Sequence, residues 1–124
     1  MTASTPDELT RIGEADELQI ASRRTDGSLR RFVTVWAVRH GDSLYVRSAY
    51  GPDNGWYRRA RSSSQGRIRA GGVECDVAFE VPKPEVAASV SAAYHAKYDR
   101  YGARMVGTVV SEEAERSTLR VVPR

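Results

Sequence analysis

The sequence predicts a mainly β fold with a few helices, in which about six antiparallel strands form a small barrel and short helices pack on it. Several segments of the 124-residue chain carry apolar residues at every second position, which is the period of a half-buried strand. Short runs of turn-forming residues separate most of these segments, and this spacing favours hairpins with antiparallel pairing. Three further segments have the spacing or the end signals of helices.

A short helix and a hairpin are predicted at the start of the chain. Thr5 has the properties of an N-cap, Pro6 occupies the first helical position, and the helix continues to about Ile12. Residues 17–24 alternate between polar and apolar side chains, and the turn-forming residues 25–28 follow them. This pattern indicates the first strand and its hairpin turn.

Two more strands and a short helix are predicted next. Residues 31–39 are rich in β-branched and aromatic side chains on both faces, which predicts a strand covered on both sides. A turn then leads into a third strand at 43–48. After a loop rich in glycine and proline, Asn54 is a suitable cap for a helix over 56–61.

The clearest alternation in the chain lies in its second half. Residues 66–70 and 73–81 form a predicted hairpin across Gly71 and Gly72. Cys75 lies on the apolar face of the second of these strands, where a small buried thiol is expected.

A helix with an apolar stripe is predicted over 84–101, and Gly102 is its natural end. Residues 104–110 fit a strand or a helix, and residues 111–116 form a charged connection. Residues 117–122 return to the strand pattern and complete the predicted barrel.

Composition limits the function. With 40% hydrophobic and 28% charged residues, the chain has the balance of one globular domain, residues 1–124, and no apolar run approaches the ~18 residues of a membrane span. The first residues lack the pattern of a secretory signal, so we expect a cytoplasmic protein with no membrane partner. One cysteine and two histidines exclude an internal disulfide and argue against a metal site.

The charge balance argues against a nucleic-acid-binding protein. Nineteen basic and sixteen acidic residues give a net charge of +3, which is too small for an affinity based on the nucleic-acid backbone. Seventeen of the basic residues are arginines. A GC-rich coding sequence explains this preference without any function, whereas a functional explanation is that arginine binds phosphate through two parallel hydrogen bonds.

The sequence lacks the motifs of common enzyme classes: a phosphate-binding loop, a dinucleotide-binding glycine motif, a nucleophile elbow and paired metal ligands. Arginines, small polar residues and aromatics instead gather around the second and third strands and the short helix. Trp36 and Trp56 offer flat faces for a planar ring. Packing in a core or a dimer interface is the favoured alternative for Trp36, and the alternative for Trp56 is that it only anchors its helix. Gly51 and Gly55 allow a ligand to approach the backbone.

This part of the chain resembles the flavin-binding split-barrel superfamily. The resemblance lies in residues 23–31, Trp36, residues 41–48, Gly51 and the segment 56–60, and it extends from Glu17 to the end of the chain. More narrowly, the sequence is similar to a small uncharacterised bacterial family that is related to deazaflavin-dependent nitroreductases and, more distantly, to pyridoxamine-phosphate oxidases.

The resemblance implies a split β-barrel, usually a homodimer with cofactor sites at the subunit interface. The oxidase branch binds the cofactor phosphate at positions that correspond to Arg31, Arg47 and Ser48. The nitroreductase branch has a glycine followed by a tryptophan–tyrosine pair, matched here by Gly51, Trp56 and Tyr57.

The sequence also departs from the pattern of these relatives. The asparagine–leucine that usually follows the tryptophan–tyrosine pair is replaced by Arg58 and Arg59, and the serine–arginine–lysine run of the oxidases is absent. We expect Arg58 or Arg59 to substitute for the missing basic groups.

We therefore expect the protein to bind FMN or a deazaflavin coenzyme at a dimer interface and, if it is an enzyme, to be a small-molecule oxidoreductase. The alternative is a cofactor-free dimeric split-barrel module that binds another ligand or a partner. A third hypothesis, nucleic-acid binding through the arginines, is disfavoured by the mild net charge. No catalytic residue and no metal ligand is assigned. The candidate cofactor-binding residues are Arg31, Thr34, Trp36, Arg47, Ser48, Gly51, Trp56, Tyr57 and Arg59.

Overall fold

Seven strands form one antiparallel sheet in the computed structural model, which describes residues 6–49 and 51–123. Along the sheet the order is β2-β1-β5-β6-β7-β4-β3, so the two edge strands are consecutive in the chain and the sheet curls into a nearly closed barrel. The predicted fold class is therefore confirmed. The strands are β1 (Leu18–Ser22), β2 (Val33–Val35), β3 (Ala37–His40), β4 (Ser43–Val46), β5 (Gln65–Ala70), β6 (Val73–Glu80) and β7 (Leu119–Pro123).

The predicted strand over 31–39 is divided at Trp36, which is why the sheet has seven strands among the described residues and not six. On one side of the break β2 pairs with β1, and Val35 lies opposite Leu18. On the other side β3 pairs with β4, and Ala37 lies opposite Val46. One continuous segment thus serves both edges of the sheet, and its alternation continues across the break, since Val33 packs against the larger core cluster, to which Val35 and Ala37 belong.

Five α-helices are present in the described part of the chain. Ser111 caps the last one, because its hydroxyl accepts a hydrogen bond from the backbone N–H of Ala114. The ambiguous segment 104–110 is helical, and the connection 111–116 contains that short fifth helix. The predicted cap Thr5 lies outside the described residues. The helices are α1 (Pro6–Glu14), α2 (Gly55–Ser63), α3 (Ala87–Tyr98), α4 (Ala103–Val110) and α5 (Glu112–Glu115), with single 3-10 turns at Pro84–Val86 and Asp99–Tyr101.

The apolar core has two parts, which lie on the two faces of the sheet. The larger cluster fills the barrel interior and includes Ala37, Leu44 and Ile68. The smaller cluster packs α3 and α4 against the outer face, where Val38 and Tyr45 meet the helices. Because Ala37 and Val38 are neighbours on β3, the two-sided burial predicted for this segment is confirmed there.

The hairpin of β5 and β6 approaches other backbone closely at two glycines. A Cβ on Gly66 would lie 2.1 Å from the carbonyl oxygen of Ala21 on β1. A Cβ on Gly71, at the turn, would lie 2.4 Å from the carbonyl oxygen of Arg11, and this glycine has a φ of +59°. α1 therefore rests on the turn between β5 and β6. None of the helices in the described ranges is long and apolar enough to cross a membrane.

Candidate functional site

A cavity of about 540 Å³ lies where β2, the N-terminal end of α2 and α4 meet. Five of the nine candidate residues line it, although they are spread over 26 positions of the chain, from Thr34 to Arg59. The full lining consists of Glu17, Val33, Thr34, Val35, Trp36, Arg47, Ala49, Asn54, Gly55, Trp56, Arg59, Met105, Thr108 and Val109.

Residues of α3 and of the turn that follows it contact Trp36 and hold it in place. Its indole stacks on the ring of Tyr98 with centroids 4.1 Å apart and planes inclined by 5°. The Trp36 carbonyl accepts a 2.8 Å hydrogen bond from the Tyr94 hydroxyl, and Tyr94 and Tyr98 are fully buried. Burial raises the pKa of both phenols, so they remain neutral hydrogen-bonding groups. The break between β2 and β3 thus presents a rigid aromatic side chain to the cavity.

Trp56 is placed by the first turn of α2. The side-chain oxygen of Asn54 accepts a 3.2 Å hydrogen bond from the Trp56 N–H and caps the helix, as the sequence predicts. The indole of Trp56 lies edge-on to the ring of Tyr57, which is buried in the barrel and only 2% exposed. One member of the tryptophan–tyrosine pair therefore lines the cavity while the other anchors α2 in the core.

Arg59 lies one helical turn after Gly55, and both residues line the cavity. Its side chain folds back over the start of α2, since a Cβ on Gly55 would lie 2.8 Å from Arg59 Nη1. Within residues 6–49 and 51–123, Arg59 takes part in no ion pair. An exposed guanidinium at this place is available to an anionic group of a ligand.

Arg47 differs from Arg59, because it is 1% exposed and uses its donors inside the protein. Its Nε donates to the hydroxyl of Thr118 at 2.8 Å, and its Nη2 donates to the carbonyl of Ala87 at 2.9 Å. Its Nη1 donates to the Ser91 hydroxyl at 2.8 Å and to the Val109 carbonyl at 2.9 Å. Four of its five N–H groups therefore join α3, α4 and the start of β7, and one remains.

Among residues 6–49 and 51–123, no carboxylate bonds to Arg47 directly. Ser91, which accepts from Arg47, donates in turn to Glu115 at 3.4 Å, so Glu115 is linked to Arg47 through the serine hydroxyl. Burial lowers the pKa of the Arg47 guanidinium, and the nearby Tyr94 and Glu115 oppose this effect. Arg47 therefore holds the helices to the barrel with most of its donors. The phosphate-binding role that the family resemblance implies for Arg31, Arg47 and Ser48 stays a prediction.

The remaining candidate residues lie away from the cavity. The backbone N–H of Ser48 donates to Ser117, and Ser48 is fully buried. Gly51 is buried in a turn with a φ of +80°, where a Cβ would lie 3.3 Å from that of Glu113. Arg31 borders a narrow crevice next to the cavity, which Trp56 and Arg59 also line. Together with Tyr57, the structure thus leaves four of the nine candidates outside the cavity lining.

Sequence reasoning missed the part of the cavity wall that α4 supplies. Met105, Thr108 and Val109 have the spacing of one helix face, but their segment was ambiguous between strand and helix. It also missed Glu17, which precedes β1. No group of three or more metal-ligating side chains occurs among the residues that the structure describes.

Comparison with known families identifies the chain. Residues 8–121 match the model of DUF2255, which is described as an uncharacterized protein conserved in bacteria. The chain belongs to this family. No curated protein matches the sequence.

Solved structures share the fold at low sequence identity. The conserved hypothetical protein Rv2991 from Mycobacterium tuberculosis is 12% identical with a TM-score of 0.67, and the match covers 100% of this chain and 81% of that one. HutZ, the heme storage protein from Vibrio cholerae, is 15% identical with a TM-score of 0.66, covering 99% and 92%. An FAD-binding protein from Mesorhizobium loti is 13% identical with a TM-score of 0.56, covering 99% and 92%.

The matched structures include proteins named for flavin, for F420 and for heme. The resemblance to the flavin-binding split-barrel superfamily is therefore confirmed at the level of the fold. At these identities the likeness concerns the fold alone, and the ligand of this member has to be argued from its own cavity.

Proposed function

We propose that this DUF2255 protein binds FMN or a deazaflavin coenzyme in the cavity between Trp36 and Trp56 and acts as a small-molecule oxidoreductase in the cytoplasm. The observation that carries the proposal is the convergence of two indoles and the unpaired Arg59 on one open cavity of about 540 Å³. Cavities of roughly 300–1,000 Å³ are typical of small-molecule sites, so the space suits a ligand of this class.

The residues present fit a planar ring with a phosphate-bearing tail. Stacking against Trp36 suits a planar ring, because the Tyr98 stack already fixes its indole and the Tyr94 hydrogen bond fixes its backbone carbonyl. The free donors of Arg59 suit a phosphate, which the guanidinium binds through two parallel hydrogen bonds. Thr34 and Thr108 add exposed side-chain hydroxyls to the wall.

The chain's own contribution to catalysis is position, exclusion of water and charge. A bound flavin or deazaflavin supplies the hydride or electron transfer. Val33, Val35 and Val109 make one part of the wall apolar, which keeps water from a ring bound there. Glu17 supplies the carboxylate in the described cavity wall, and its side chain is exposed.

A homodimer is part of the proposal. Met105, on the α4 side of the cavity, is 52% exposed, and Tyr101 just before this helix is 43% exposed. A second copy packed on this side covers these apolar groups and closes the cavity, in keeping with the arrangement that the family resemblance implies. Light scattering is expected to give twice the mass of one chain.

A cofactor-free split barrel that binds another small ligand is the second candidate. The observation in its favour is that the guanidinium of Arg47 donates four of its five N–H groups to protein acceptors. Only one N–H group is then available to a phosphate. In this case the cavity binds a less strongly charged molecule and the indoles serve a different planar group.

Calorimetric titration with FMN and with the deazaflavin coenzyme separates the two candidates. We expect micromolar binding of at least one of them by the wild type, weakened about tenfold in Arg59→Gln because a charged hydrogen bond is lost. Arg61→Gln is the matched control, since it removes the same charge from α2 at a residue outside the cavity wall. Failure of both cofactors to bind at millimolar concentration rules out the flavin proposal and leaves the cofactor-free module.

A further inference from the structure

A second and larger cavity, of about 760 Å³, adjoins the first at Gly55 and Arg59, which line both. We call it the arginine groove. It lies between α2 and the turn that connects β1 with β2, and it also borders the hydroxyl residues Thr25, Ser62 and Ser63. The arginines that line it are Arg23, Arg24, Arg30, Arg58 and Arg59.

The groove carries a large uncompensated positive charge. None of its described lining residues is acidic. Arg23 is paired with Asp76 at 2.9 Å, but Arg30, Arg58 and Arg59 form no ion pair with any residue that the structure describes. A whole-chain charge of only +3 makes this local concentration the more pronounced. Three free guanidinium groups in one groove call for a ligand with several negative charges.

Two of the arginines are already fixed in position. Arg23 donates from Nη1 to the carbonyl of Gly27 at 2.7 Å, and Arg24 donates from Nη1 to the carbonyl of Leu29 at 2.8 Å. The carboxylate of Asp26, in the same turn, accepts from both the N–H and the hydroxyl of Ser28. These two bonds lower the pKa of Asp26, and so does the positive charge of Arg24, which this carboxylate therefore partly compensates.

We propose that the arginine groove is a separate subsite for a phosphoanhydride chain, such as the di- or triphosphate of a nucleotide. Such a chain places several charges within a few ångströms, and each of its phosphates accepts the paired hydrogen bonds of a guanidinium. The hydroxyls of Thr25 and Ser62 suit the remaining phosphate oxygens, whereas the Ser63 hydroxyl donates to the carbonyl of Gln65. The proposal goes beyond the flavin site, because Arg30 and Arg58 do not line the first cavity.

Inorganic tripolyphosphate is the probe for this subsite. Calorimetric titration at physiological ionic strength is expected to show micromolar binding by the wild-type protein. The double variant Arg30→Gln/Arg58→Gln should bind about a hundredfold more weakly, about tenfold for each charged donor lost. Arg61→Gln, which removes one positive charge from α2 outside the groove, should stay close to the wild-type affinity.

The same titrations keep this proposal distinct from the flavin proposal. If FMN and the deazaflavin coenzyme fail to bind but tripolyphosphate binds as described, the proposal of the arginine groove is supported and the flavin proposal is wrong. If the double variant loses tripolyphosphate while its flavin affinity is unchanged, both stand as separate sites.

Three results overturn the proposal. The first is binding of tripolyphosphate only at millimolar concentration. The second is a loss of affinity in Arg61→Gln as large as the loss per removed charge in the double variant, which means that general charge attraction and not the groove holds the anion. The third is preferential binding of a triglutamate peptide or of a single-stranded oligonucleotide, which assigns the groove to carboxylates or to nucleic acid.

Discussion

The indole of Trp36 and the phenol ring of Tyr98 stack with their centroids 4.1 Å apart and their planes inclined by only 5°. The Tyr98 hydroxyl accepts a hydrogen bond from the N–H of Ala37 and donates to the carbonyl of Asp16 at 2.8 Å. One residue at the end of α3 therefore supports the cavity wall at Trp36, the start of β3 and the segment before β1. The wall of the candidate site and the attachment of α3 to the barrel depend on the same side chain.

Removal of the Tyr98 hydroxyl is expected to destabilise the protein without removing the stacking of the Tyr98 ring on Trp36. Tyr98→Phe leaves the buried Ala37 N–H without this acceptor, and we expect the free energy of unfolding in urea to fall by about 1–3 kcal/mol. Tyr101→Phe, which removes an exposed hydroxyl nearby, is the control and should change stability by less than about 0.5 kcal/mol. Equal effects of the two variants contradict the support role of Tyr98.

Arg47 is expected to be a determinant of stability. Arg47→Met leaves the carbonyls of Ala87 and Val109 and two hydroxyls without their donor, so we expect a loss of about 3–5 kcal/mol in the free energy of unfolding. Arg61→Met places the same substitution at an exposed position of α2 and should change stability by less than about 0.5 kcal/mol. If urea unfolding shows that Arg47→Met is as stable as the wild type, the proposed structural role of the buried guanidinium is wrong.

Lys97 predicts a specific pH dependence. Burial lowers the pKa of its ammonium from the ordinary 10.5 to about 8, and Arg100 contributes while Asp16 opposes. Between these two values the unfolded chain binds more protons than the folded chain, so the Lys97 contribution to folding stability increases as the pH rises through this window. Below about pH 8 the lysine is protonated in both states and its contribution is constant.

The variant Lys97→Met isolates this effect, because it keeps the other titratable groups. The stability of the wild type relative to this variant should increase between neutral pH and about pH 10, as urea unfolding at each pH would show. The carbonyl of Ala37, which accepts from Lys97, also lies 3.1 Å from the Tyr98 hydroxyl, whose single hydrogen it shares with the carbonyl of Asp16. A difference that stays constant or decreases with pH contradicts the lowered pKa.

Two glycine-to-alanine substitutions are expected to act in opposite directions. In Gly66→Ala the new methyl group would lie 2.1 Å from the Ala21 carbonyl oxygen and 2.8 Å from the Phe79 ring, so we expect a loss of about 3 kcal/mol from overpacking. Gly107 lies within α4 with nothing within 4 Å of a Cβ. Gly107→Ala should therefore raise stability by about 1 kcal/mol through helix propensity. Thermal unfolding of both variants measures the two changes in stability. A Gly66→Ala protein that is more stable than Gly107→Ala contradicts the prediction.

The sequence predicts those elements whose signals are local. The hairpin of β5 and β6 follows from alternation and a glycine pair, and the start of α2 follows from the capping side chain of Asn54. Gly102, with a φ of +100°, stops the helical segment as expected. In each case the residues that determine the element are next to one another in the chain, so pattern and propensity are sufficient.

The division of the strand at Trp36 was not predictable in this way, because it depends on which strands pair with each half. The burial of Arg47 was missed for a similar reason: its partners Ala87, Ser91, Val109 and Thr118 come from three distant segments. Alternation along β4 correctly separates Arg47 from its neighbours in the barrel interior. It gives no information about the helices that cover the outer face.

The most direct test of the flavin proposal follows the emission of FMN and of the deazaflavin coenzyme as protein is added. Stacking on an indole should quench the emission of the ring, with a micromolar midpoint for at least one cofactor, and Trp56→Leu should weaken the binding. If the emission of both remains unchanged up to millimolar protein, no tricyclic ring binds between Trp36 and Trp56 and the central claim is wrong.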